Sequence, residues 1–453
     1  MNTISLNEVK TDAKKLILDL FNLGVSVVRP KNIITNFLEI SKEEIKVRDE
    51  SKVYIYKDFN NIIPICIGKA AVETAMTIKN LFDNKHVKFN KGVVVVNQEN
   101  YKKIDGFTCF SSGHPLPNNV GIEAAKFIEE TLRKTDEKDL ILIFISGGGS
   151  SLLPYPVNSL SLNEKTLVNK ILIESGASIN EINIVRKHLS KIKGGNLTKI
   201  CYPSKVHSFI LSDVVGDDLS SIASGLTVPD PSTFLDAEKI LKTYKVWKKL
   251  PINARNYIKK GAKDKSLETP KKNNKIFKNS KNTIIGSNSI SINKIMNNCK
   301  EKNVNVIIWK KNLEGNVKEK SKELVEYINK INFEAPVIIL SGGETTVKVN
   351  GSGAGGRNQE FSLYFSFYAR KIIPDLRYTF LSAGTDGRDG PTNAAGGIVD
   401  QNSYDLIINK GIDLEKELNN NNSNHVLKEI NSLVIMNGTN TNVADIQILA
   451  IVK

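Results

Sequence analysis

Three residues are placed to meet a bound anion or a reacting hydroxyl: Lys69, Asp213 and Arg357, each just past an apolar run or a glycine cluster. Lys69 follows the apolar run 62–67 and Gly68, and precedes small residues that open a helical pattern. Its ammonium would sit beside the free N–H groups of a helix start and hold a carboxylate or phosphate. A solvated lysine at an exposed turn is the plainer reading of Lys69 alone, and no Gly-x-x-x-x-Gly-Lys-Ser/Thr pattern makes it a P-loop lysine. Asp213, Asp217 and Asp218 follow the run 208–211. Carboxylate oxygens suit Mg²⁺, and a carboxylate can take the proton of a hydroxyl. Asp213 lies nearest the strand end and is the candidate for chemistry and for Mg²⁺; Asp217 or Asp218 reads equally as a helix cap.

Glycine-rich turns supply the second class of candidates. Ser146, Gly147, Gly148, Gly149, Ser150 and Ser151 follow the apolar run 140–145, so the backbone can come close to a charged ligand with hydroxyls as further donors. Ser341, Gly342, Gly343 and Glu344 follow the run 337–340 in the same way, suggesting one such turn in each half of the chain. The stretch 351–356 fits Gly-x-Gly-x-x-Gly, the dinucleotide fingerprint, but it follows an alternating strand, and no acidic residue closes the next strand about 20 residues on. Arg357 and Asn358 come next at a helix start, and the guanidinium fork matches phosphoryl oxygens. Asp386, in the glycine-rich loop 384–390, is as readily an Asx turn as a ligand. No Gly-x-Ser-x-Gly elbow or metal-spaced histidines occur, which leaves phosphoryl transfer as the best-fitting reaction.

The elements that must hold these turns are short apolar strands alternating with helical patterns. They predict an α/β fold with parallel sheets buried on both faces and ligands beyond the strand ends. A composition shift to Lys and Asn over 239–282 suggests a domain boundary near 240, and the asparagine tract 419–422 reads as a solvated loop without chemistry. At 453 residues and 40% hydrophobic content the chain can build two or three cores. The net charge of +15 comes without an aromatic-interleaved basic motif, so nucleic acid is not an expected partner. Cys66, Cys109, Cys201 and Cys299 are widely spaced, which fits reduced cytosol. Leu16, Leu20, Leu23 and Val27 recur at helical spacing, and no stretch reaches the roughly 18 apolar residues of a membrane span, so a soluble cytoplasmic protein is expected.

At these residues the sequence resembles the glycerate 2-kinase family whose C-terminal part is the MOFRL domain. The resemblance runs along most of the chain through motifs at 68–71, 113–117, 145–150, 185–195, 211–218, 222–225, 228–231, 341–346, 355–360, 384–387 and 441–443. Val215, Leu226, Asn118, Asn393 and Asn440 depart from the family's usual residues. The resemblance implies a Rossmann-like parallel-sheet domain over 1–240 and a smaller α/β domain over 241–453. The MOFRL region would occupy about 335–450, and the active site the interdomain cleft. It leaves room for the last strand, 445–453, to return to the first domain. ATP, Mg²⁺ and D-glycerate are the implied ligands, with a homodimer left open. The family's lysine, aspartate and arginine fall on Lys69, Asp213 and Arg357. A nicotinamide-dependent hydroxypyruvate reductase and a non-catalytic binding relative are the rival readings.

Overall fold

The computed structural model describes residues 12–49 and 52–452. The chain forms two compact units: Ile33–Ile285 is one, and Met1–Asn32 joins Gly286–Lys453 in the other. The middle unit carries a six-stranded sheet of β4 (Asn61–Ile67), β5 (Gly92–Asn97), β6 (Phe107–Ser112), β7 (Asp139–Ile145), β8 (Lys205–Leu211) and β9 (Ser280–Gly286), in the order β6-β5-β4-β7-β8-β9. The pairings from β6 through β8 are all parallel. Every residue of β5 and β7 is buried, as a sheet covered on both faces requires. The connections reverse direction between β4 and β7, and in such sheets the crevice beyond the strand ends at that point is where ligands bind. A small antiparallel sheet, β1 (Leu38–Ile40), β2 (Glu44–Arg48) and β3 (Val53–Lys57), precedes it.

The boundary expected near 240 falls inside a helix, Phe234–Thr243, and the change of unit lies at 285/286. The Lys- and Asn-rich stretch is not a linker because its apolar positions share a core. Phe234, Ala237, Leu241, Ala254 and Ile258 pack with Val168, Leu172, Ile182 and Val185 of two earlier helices.

The second unit holds β10 (Asn305–Asn316), β11 (Val337–Thr346), β12 (Arg377–Gly384), β13 (Ala394–Asp400), β14 (Leu433–Ile435) and β15 (Asp445–Val452), in the order β10-β11-β15-β12-β13-β14. Only β10 and β11 run parallel; the other pairings are antiparallel, so the expectation of a parallel sheet fails in this half. The last strand does not return to the first sheet. It lies between β11 and β12, where its apolar residues serve two cores. Ile446, Ile448 and Ala450 meet the first helix, Ala13–Val27, and Leu449 and Ile451 pack with Phe361 and Phe380. Leu16 and Leu20 of that helix are buried as expected, but the stripe continues through Phe21, Gly24 and Val25, leaving Leu23 and Val27 half-buried. Strand β11 also runs through Ser341, Gly342, Gly343 and Glu344, so the second Ser-Gly-Gly segment is strand, not turn.

Candidate functional site

The switch point of the middle unit is knitted from two of the predicted turns. The Lys69 N–H donates to Gly147 O at 2.9 Å, and the Ser146 N–H donates to Ile67 O at 2.9 Å. Ser146 is buried; its hydroxyl accepts the Ala70 N–H at 3.1 Å and donates to Ile67 O, so it holds the turns together instead of facing a ligand. Gly68 has φ +119, and a Cβ there would lie 2.5 Å from Ser146 O, which makes glycine necessary at this crossing. Asn100 donates its side-chain N–H to Lys69 O at 3.0 Å. The Lys69 backbone is thus fixed from two sides.

Beyond β7 the chain turns at Gly148, φ +86, into the short helix Gly149–Leu152. Ser150 shares a 2.9 Å hydrogen bond with Ser224, and the Ser151 hydroxyl donates to Gly148 O. Ala223 and Ser224 are both held at positive φ, a strained pair bordering this turn. Gly148, Gly149, Ser150, Ser151 and Asp213 line one pocket of about 340 Å³. The same lining carries basic residues: Lys165 and Lys193 are buried, and Arg186 completes the group. Burial, with Arg186 nearby, brings Lys165 down to about 7, and burial with Lys165 and Arg186 pushes Lys193 well below the usual lysine range. Asp218 accepts from the Ser220 N–H and the Ser221 hydroxyl and so acts as a local cap; Asp217 sits at φ +57 in the turn.

In the other unit Arg357 begins the helix Arg357–Ile372. Its guanidinium grips Asp445 through Nε and Nη2 at 2.6 and 3.0 Å, and Nη1 meets Glu344 at 2.8 Å. The helix start is filled by a protein carboxylate: Asp389 accepts from the Asn358 and Gln359 N–H groups at 3.2 and 2.9 Å. Burial, with Asp445 adding to it, raises Asp389 to about 6. Asn358 is buried between Asp389 and Ser382, and Ser341 donates to Gln447 within the sheet. Gly342 and Gly343 leave no room for a ligand, because a Cβ on either would strike Asn288 or the Leu313 backbone. Asp386 accepts the Arg388 N–H at 3.0 Å in an Asx turn.

The dinucleotide-like loop is closed by the asparagine tract. Asn350 and Gly351 donate their N–H groups to the Asn421 side chain, Ser352 to the Asn420 side chain, Gly353 to Asn420 O, and Ala354 to the Asn422 side chain. Backbone donors that would cradle a pyrophosphate are therefore already taken. The tract expected to be a solvated loop is a structural clamp.

Comparison with known proteins decides what this arrangement belongs to. A model of a domain of unknown function, DUF4147, matches residues 16–259, and the MOFRL family model matches 337–445. The glycerate 2-kinase of Pyrococcus horikoshii is 37% identical, with 98% of each chain covered. The D-glycerate 2-kinase of Thermotoga maritima is 35% identical, covering 93% of this chain and 99% of that one. The chain belongs to the glycerate 2-kinase family. A crystal structure of a glycerate kinase from Thermotoga maritima superimposes with a TM-score of 0.83 at 33% identity, covering 98% of this chain and all of that one.

Within this glycerate 2-kinase fold the middle unit gathers Asp213 and the turn 148–151 into one pocket, with Lys69 anchored beside the same turn. Two of the positions noted as departing from the family have a local structural role in this chain. Asn118 caps the helix Asn119–Leu132 through the Gly121 N–H, and Asn440 adopts φ +57, a conformation asparagine tolerates. Asp389, read with Asp386 as an Asx turn or a ligand, is instead the carboxylate at the start of the Arg357 helix, and sequence reasoning passed over Lys165, Arg186, Lys193 and Asp445 as site residues. Lys165 left one trace: it shares a helical stripe with Val168 and Leu172, an unusual place for an ammonium. The pairing of Asp445 with Arg357 spans 88 residues and left no local signal.

Proposed function

We propose that this chain transfers the γ-phosphoryl group of ATP to the 2-hydroxyl of D-glycerate, giving 2-phosphoglycerate and ADP. The observation that carries the reading is the switch-point pocket, where a glycine turn and Asp213 face one concave space beside the anchored Lys69. Phosphoryl transfer needs positioning and charge stabilisation more than covalent chemistry, and these groups offer both. Lys69 would neutralise charge on the transferring group or the glycerate carboxylate. Arg357 is assigned the same task, because Asp445 and Glu344 engage three of its five N–H donors and leave two. Asp213 would accept the hydroxyl proton or hold Mg²⁺. Among the described residues no group of three His, Cys, Asp or Glu could cage a metal. That suits Mg²⁺, which binds through one or two carboxylates plus substrate phosphates and there offsets phosphate charge. The cysteines are free thiols and no helix of the described residues is long and apolar enough to cross a membrane; a cytoplasmic setting is proposed on the thiols.

The reading is tested by incubating the pure protein with Mg·ATP and D-glycerate and resolving the products by phosphorus NMR. Formation of 2-phosphoglycerate is expected. Exclusive 3-phosphoglycerate would overturn the regiochemistry. Oxidation of NADH or NADPH by hydroxypyruvate at a comparable turnover would overturn the kinase reading in favour of the reductase.

A further inference from the structure

The helix Leu162–Glu174 starts at a Ser161/Glu164 capping box and buries Lys165, Val168 and Leu172 on one stripe. Lys165 is only 4% exposed, lines the switch-point pocket, and its Nζ has no hydrogen-bond partner among the described residues. Lys193 is 2% exposed, and among the described residues its Nζ reaches only Ala223 O, at 3.4 Å. Arg186 hydrogen-bonds through Nε to Asn169 at 3.2 Å and through Nη1 to Asn183 at 3.5 Å, both neutral amides. Among the described residues none of these three cations is paired with a carboxylate. The contrast with their neighbours is sharp, since Lys187 meets Asp230 and Lys191 meets Glu129.

Burial without a partner holds both lysines below their usual range, so an anion that restores their protons would find its countercharge at this pocket wall. Two lysines and an arginine face a pocket in which Asp213 is the one lining carboxylate among the described residues. A monoanion such as glycerate would leave the group under-neutralised. A polyphosphate would not, and it also suits the glycine turn 148–151 that lines the same pocket.

We propose that Lys165, Arg186 and Lys193, with the turn 148–151, form the subsite for the polyphosphate of the nucleotide, and that the glycerate carboxylate binds elsewhere. This assignment rests on the phosphoryl-transfer reading above. The two lysines and the arginine come from three consecutive segments of the helical layer, so the layer's role is to bring cations to the end of β7.

The test is calorimetric titration of the parent protein, Lys165→Met and Arg186→Gln with ADP, inorganic tripolyphosphate and D-glycerate. Both variants should bind ADP and tripolyphosphate about 10-fold or more weakly, with D-glycerate affinity unchanged within about 2-fold. Ligand-free Lys165→Met should melt no lower than the parent, because a buried unpaired amine has been removed, and Lys165→Arg should restore part of the tripolyphosphate affinity. Selective loss of D-glycerate binding would assign the pocket to the acceptor and overturn the proposal, as would unchanged affinity for all three probes. Weakened ADP binding with tripolyphosphate unaffected would also overturn it, by moving the contact to the nucleoside. The kinase reading is judged separately: a parent protein that makes no phosphoglycerate defeats that reading, while the tripolyphosphate titration still reports on the pocket.

Discussion

The glycine-rich segments 146–151 and 351–356 use the same residue type to opposite ends. In the first, glycines let the chain turn at the end of a buried strand and present its backbone to a pocket. In the second, they let the chain lie flat against the asparagine tract, whose side chains and backbone take up five consecutive N–H groups. A Cβ on Gly351 would stand 2.3 Å from Asn420 O, and one on Gly353 would stand 2.5 Å from the Asn422 side chain. Glycine density therefore reports close approach by something. Whether that is a ligand or another part of the chain depends on where the opposing donors and acceptors come from, and here they come from residues about 70 positions away.

The largest expected effect lies on the pocket side of this contrast. Asp213→Asn keeps shape and removes charge, and should lower kcat by roughly 10³-fold in a coupled ADP-release assay while melting with the parent. Retention of turnover within a few-fold would remove Asp213 from the chemistry. On the clamp side, Asn421→Ala removes acceptors for two backbone N–H groups and the amide that meets Glu360 at 2.9 Å. A loss of about 3 kcal/mol is expected, lowering the first calorimetric transition by roughly 5–10 °C with turnover of the folded fraction unchanged. A variant that melts normally but loses activity would make the loop 351–356 a ligand site after all, and the contrast would collapse.

The two regions also carry opposite pH signatures. Glu360 is raised to about 7, chiefly by burial, so the folded state binds the extra proton. Its contribution is complete below about 4.5 and is lost as pH rises through 7. Lys165 is held near 7, so the unfolded chain carries the extra proton between about 7 and 10.5, and stability rises with pH across that window. Urea denaturation at a series of pH values should show both slopes, the first flattened in Glu360→Gln and the second in Lys165→Met. Persistence of either slope in its own variant would assign it to another group. The smallest expected effect calibrates the contrast: Gly176 has φ +79 with open space around its would-be Cβ, so Gly176→Ala should cost only about 1 kcal/mol by denaturation, the strain of a left-handed alanine alone.

Much of the middle unit was legible because its signals are local. The apolar runs at 62–67, 92–96, 140–145 and 208–211 became β4, β5, β7 and β8, and the turns expected after β4 and β7 meet at the switch point. The second unit was harder for a stated reason. An apolar run such as 337–340 says that a strand is buried but not which way its neighbours run, and β11 could continue through Ser341, Gly342 and Gly343 because Asn288 and the Leu313 backbone pack closely against their bare Cα atoms. The cations of the pocket were hidden by composition: among 63 Lys and Arg residues, Lys165 is marked only by its place on a buried stripe.

The first helix packs with Ile292, Ile295, Ile446 and Ile448, while residues Ile33–Ile285 form a unit of their own. During synthesis Ala13–Val27 leaves the ribosome more than 250 residues before Ile292, a delay of roughly 15–50 s at about 5–20 residues per second. Throughout that interval Leu16, Ile17, Leu20 and Phe21 lack their native cover. The middle unit, contiguous in the chain, can fold meanwhile, so the nascent protein would pass through a stage with one finished body and an apolar leading helix. That stage is where a chaperone would find its handle.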